Sequence, residues 1–154
     1  GIAERGWRLV YGGGCVGLMN ETADAALAGG APVIGVIPQF LAEFEAGHGG
    51  LTDLIVTDGM HDRKQIMFNL AGAFVILPGG VGTLDETMEI LTWKQLQRHS
   101  KPIIIVNEGG YWTPMLEMMD KIVEGGFMGQ NTIELLQIVD TVPGAFELLE
   151  ETFK

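Results

Sequence analysis

The feature that most constrains this chain is the alternation of short apolar runs with stretches of helical periodicity. The apolar runs fall at residues 8–11, 32–37, 54–57, 73–77 and 102–106. Between and after them, residues 17–28, 61–70, 83–97 and 112–123 carry helical spacing, with a further edge strand at 137–141 and a helix at 145–152. Strands that are apolar throughout, each followed by a helix, belong to a parallel sheet buried on both faces. Right-handed crossovers then give an α/β fold, a doubly wound Rossmann-like parallel sheet with helices on both faces. The length of 154 residues suits a single domain. We read residues 1–154 as one nucleotide-binding domain. Residues 1–5 read as the tail of a helix, so the expectation is a domain lacking its N-terminal strand.

Ligands in such folds bind at the carboxyl ends of the strands. Glycine makes up 23 of the 154 residues, about twice its usual share of ~7%. It clusters at two such ends, after Tyr11 and after Leu77. The charge balance is 9 basic against 20 acidic residues, net −11. That excludes the basic footprint of a nucleic-acid binder and disfavours an anionic membrane surface. No apolar run approaches the ~18 residues of a membrane span, and no signal peptide is visible. The lone Cys15 excludes an internal disulfide and a thiolate zinc site, and points to a reducing, cytoplasmic setting.

The first cluster, Gly12-Gly13-Gly14-Cys15-Val16-Gly17, fits the G-x-G-x-x-G pattern between a strand and a helix. The next strand ends in Ile37-Pro38-Gln39, with no acidic residue for ribose hydroxyls, which disfavours a dinucleotide. A structural tight turn and the wall of another nucleotide site both stay open. The second cluster is Pro78-Gly79-Gly80-Val81-Gly82-Thr83-Leu84-Asp85-Glu86. Three glycines in four positions clear side chains from a helix N-terminus, where N–H groups and the dipole favour an anion such as phosphate. The lysine of a triphosphate-binding P-loop is missing. The plain alternative is a capping box, Thr83-x-x-Glu86, with Thr83 as N-cap. A cap leaves the glycines and the second carboxylate, Asp85, unexplained. In Met60-His61-Asp62-Arg63-Lys64 two adjacent cations open a helix whose dipole opposes them; anion binding would offset that cost, and a solvated helix start is the alternative.

Met-His-x-Arg-Lys at 60–64 followed by Pro-Gly-Gly-x-Gly-Thr-x-x-Glu at 78–86 resembles the signature of the Lonely Guy family. The resemblance runs through Tyr11-Gly12-Gly13-Gly14, Val36-Ile37-Pro38, Thr92-Trp93 and Gly109-Gly110-Tyr111, nearly the whole chain. Members of that family are cytokinin riboside 5′-monophosphate phosphoribohydrolases, often mislabelled lysine decarboxylases. The resemblance implies hydrolysis of the N-glycosidic bond of AMP or an N6-substituted adenosine 5′-monophosphate, giving free base and ribose 5-phosphate. It implies catalytic roles for Arg63 and Glu86. It implies substrate contacts from Lys64, Gly79, Gly80, Val81, Gly82, Thr83, Leu84 and Asp85, and further ones from Glu45 and Thr92. No metal and no cofactor are implied, and the expected assembly is a homodimer. The chemistry suits these residues. Leaving-base departure builds positive charge on the sugar, which a carboxylate stabilises, and negative charge on the base, which a cation or proton offsets.

Two rival functions stay open at this point. One is a carrier of phosphorylated ligands, as in the molybdenum cofactor carrier proteins that share the fold. The other is a broader nucleotide monophosphate nucleosidase. A lysine decarboxylase is the poorest fit, because such an enzyme needs a pyridoxal phosphate domain for which the chain is too short.

Overall fold

The computed structural model describes residues 1–43 and 48–154. It divides into two compact units, Gly1–Ala71 and Gly72–Lys154.

The first unit contains β1 (Leu9–Tyr11), α1 (Leu18–Ala28), β2 (Val33–Pro38), α2 (Gln39–Ala42), β3 (Asp53–Thr57) and α3 (Met60–Leu70). Its strands pair in the order β1-β2-β3, all parallel. The middle strand, β2, is buried from end to end, which is why its sequence shows no polar alternation. Tyr11, Ala23, Ala26, Ala31 and Val33 form a core cluster where α1 lies on β1 and β2. The small Ala23 and Ala26 let the helix approach closely. Helix α3 packs against all three strands.

The second unit contains β4 (Phe74–Ile76), α4 (Val81–Gln95), β5 (Ile103–Val106), α5 (Thr113–Glu124), α6 (Gln130–Ile133), β6 (Gln137–Val139) and α7 (Val142–Thr152). Its parallel sheet runs β4-β5-β6, with Ile76 level with Ile105. The fully buried β5 is again the middle strand. Ile90 and Leu91 of α4, Met115 and Met119 of α5, and Ala145 and Leu149 of α7 are buried with it. Helix α7 packs on β5 and β6.

The expected α/β class with parallel strands stands, and every strand in the described residues is parallel to its partner. Two boundaries differ in instructive ways. Helix α4 begins at Val81 rather than Thr83. Helix α7 begins at Val142, because the Thr141 side chain accepts the Gly144 N–H at 3.2 Å and Pro143 suits the first turn. No helix among the described residues is long and apolar enough to cross a membrane.

Candidate functional site

In the first unit the chemistry gathers where β1 and β2 end. Tyr11 lies level with Gly35 across the ladder, so Gly12 and Val36 follow side by side. One guanidinium bridges them. Arg63 Nε donates to the Val36 carbonyl at 3.0 Å, and Nη2 donates to the Gly12 carbonyl at 3.3 Å. These carbonyls offset the cost of holding a cation in the first turn of α3. Gly12 has a direct reason to be glycine, since a Cβ there would overlap the Arg63 guanidinium. Gly13 has φ +76°, and a Cβ on it would crowd Ile37. The pair Arg63-Lys64 is therefore not a freely solvated helix start. Both residues are half-buried, whereas His61 and Asp62 are exposed. Beneath the loop, burial raises the Tyr11 phenol above its usual pKa, and Cys15 and Asp24 push the same way.

In the second unit the loop after β4 leads into α4. Gly80 occupies the N-cap in an extended conformation, with no side-chain cap. The first helical hydrogen bond runs from Leu84 N–H to Gly80 carbonyl at 3.1 Å, so the N–H groups of Val81, Gly82 and Thr83 precede the ladder. This corrects the capping-box alternative. Thr83 is the third residue of the helix, not its cap. Its side chain instead lies over Gly79, where a Cβ would collide with it. At Gly80 and Gly82 an added Cβ would meet nothing within 4 Å, so packing within the chain does not require glycine there. Val81 is 84% exposed.

Further along α4 the residues divide by face. Thr87 is wholly buried and donates to the Thr83 carbonyl at 2.7 Å. Glu86 and Leu84 are half-buried, while Asp85 is exposed. Thr92 is exposed seven residues beyond Asp85, on the same face, and its hydroxyl donates to the Met88 carbonyl at 2.7 Å.

Thus residues 79–86 form one loop and the first two turns of one helix, as their spacing implies. Arg63 and Lys64 belong to the first unit and Glu86 to the second. Glu45 lies outside the described residues. Among the described residues, no group of three His, Cys, Asp or Glu side chains gathers to hold a metal ion.

One contact at this loop joins residues far apart in the sequence. Tyr111 Oη donates to the Gly79 carbonyl at 2.7 Å. The signal available in sequence was Gly109-Gly110, a pair with φ +60° and +76° that turns the chain after β5 toward the loop after β4.

A sequence-family model described as "Possible lysine decarboxylase" matches residues 19–149. A cytokinin riboside 5′-monophosphate phosphoribohydrolase of Rhodococcoides fascians is 45% identical over 145 residues, covering 94% of this chain and 73% of that protein. One from Mycobacterium tuberculosis is 42% identical, covering 94% of this chain and 77% of that protein. A probable rice enzyme of the same name is 41% identical, and there the chain spans 97% of itself and 66% of the relative. Among solved structures, the molybdenum cofactor carrier protein of Chlamydomonas reinhardtii superposes with a TM-score of 0.71 at 25% identity, over 97% of this chain and 80% of that one.

Proposed function

This chain belongs to the Lonely Guy family, and from that membership we propose that it is a nucleoside 5′-monophosphate phosphoribohydrolase. Its substrate is AMP or an N6-substituted adenosine 5′-monophosphate. Water adds to C1′ of the ribose, the C1′–N9 bond breaks, and the proton passes to the departing base. The products are free base and ribose 5-phosphate.

The observation that carries this reading is the mouth of α4. A helix N-terminus with no side-chain cap, and with glycines at Gly80 and Gly82 that the fold does not require, suits a phosphate monoester. In this reading Gly79, Gly80, Val81, Gly82 and Thr83 receive the phosphate, and Leu84, Asp85, Thr92, Lys64 and Glu45 make further substrate contacts. Glu86 stabilises the positive charge that grows on the ribose and orients the attacking water. Arg63 positions the nucleotide and offsets charge on the leaving base. Phosphate binding is remote from the broken bond, so its energy serves orientation at C1′. A free Cys15 thiol suits a reducing compartment such as the cytoplasm.

The direct test is adenine release from AMP by the purified protein, followed by chromatography. Release of adenine with stoichiometric ribose 5-phosphate is the expected result. The likeness to a cofactor carrier gives the second reading: tight AMP binding with no product over hours would favour it. We also propose a homodimer, and a monomer in sedimentation at micromolar concentration would overturn that assembly.

A further inference from the structure

We infer that Tyr111 is a positioning residue for the loop after β4, setting the direction of the Gly80 N–H through the carbonyl of Gly79. The inference rests on the proposed reading of that loop as the seat of the substrate's phosphate.

The peptide between Gly79 and Gly80 joins two residues without side chains and would otherwise be the least restrained part of the loop. It is planar and trans, so its carbonyl and its N–H point in opposite directions. Whatever fixes one fixes the other. The Tyr111 hydroxyl donates to that carbonyl at 2.7 Å, and a carbonyl that accepts a hydrogen bond makes its own amide a better donor. The Thr83 side chain also lies against Gly79.

The support behind Tyr111 is built to hold a direction. Tyr111 is 52% exposed, so its hydroxyl has water as an alternative partner to this contact. Its edge-to-face partner is Trp112, at 5.0 Å between centroids and 88°, itself only 4% exposed. Asn107 Oδ1 accepts the backbone N–H of Trp112 at 2.7 Å, and the backbone N–H of Asn107 donates to the Val139 carbonyl at 2.8 Å. The tyrosine is therefore tied through Asn107 to β6, the strand beyond β5. The ends of β4 and β5, adjacent in the sheet, are joined by one phenol.

The test is Tyr111→Phe, which keeps the ring against Trp112 and removes only the donor. We expect KM for AMP and the dissociation constant for inorganic phosphate to rise about tenfold, the worth of one hydrogen bond. We expect kcat to stay within about twofold and the melting temperature to stay near wild type. Unchanged phosphate affinity, or a loss confined to melting temperature, would overturn the inference. A merely structural tyrosine would lower stability without altering phosphate binding by the folded protein. Wild-type protein that binds AMP and phosphate but releases no adenine sinks the hydrolase reading, and the Tyr-to-Phe binding ratio still decides this one. Wild-type protein that binds neither sinks both.

Discussion

The loop after β1 and the loop after β4 look alike in sequence, each a run of glycines at a strand's carboxyl end, but they are glycine-rich for different reasons. After β1 the protein's own packing demands it. Gly12 makes room for the Arg63 guanidinium, and Gly13 and Gly17 hold positive φ angles that side chains resist. After β4 only Gly79 is demanded from within, by Thr83. Gly80 and Gly82 have neither positive φ nor a neighbour that a Cβ would strike. A glycine that the fold requires marks a scaffold, and one that it does not require marks a surface kept bare for something else.

Substitutions separate the two cases. The largest effect is expected beyond the second loop, at the carboxylate it leads to. Glu86→Gln should lower kcat for AMP by about 10²–10³-fold, comparable to removing one transition-state-stabilising group, with the fold intact by circular dichroism. Arg63→Ala should cost a similar factor in kcat/KM. Wild-type turnover in both variants would remove their assigned roles.

Next comes Gly12→Ala in the first loop. The methyl group displaces the guanidinium from the Val36 and Gly12 carbonyls, and chemical denaturation should register a loss of about 1–3 kcal/mol. An unchanged midpoint would mean that the loop tolerates side chains and is not the scaffold described. The smallest effect on folding, with the opposite sign, is expected for Gly82→Ala in α4. A helical alanine should raise stability by about 0.5 kcal/mol while weakening AMP binding severalfold. Stabilisation with unaltered affinity would return the second loop to the class of ordinary turns.

Much of this architecture was legible because burial leaves a plain record. The strands β2 and β5 are buried at every residue, and continuous apolar runs mark them. The pairing of a glycine cluster with a helix start was equally readable. The onset of α4 was not. The rule that favours Ser, Thr, Asp or Asn at an N-cap selects Thr83, whereas the N-cap is Gly80, three residues earlier, extended and with no side-chain cap. Contacts made across the sequence were also hidden. Arg63 reaches carbonyls 27 and 51 residues away, and Tyr111 reaches one 32 residues away. No local pattern encodes such meetings, since strand register creates them. Family resemblance supplied names for Arg63 and Glu86, and the physical reason for Gly12 emerged only from the guanidinium beside it.

The bareness of the α4 mouth carries a last consequence. Main-chain amides have no preference among purines, so an anchor made of them cannot sense which base hangs at the far end of a phosphate ester. On the proposed function, discrimination must therefore reside in side chains farther from the phosphate. A lineage built on this scaffold is then free to change its clientele by swapping those side chains while leaving the anchor untouched.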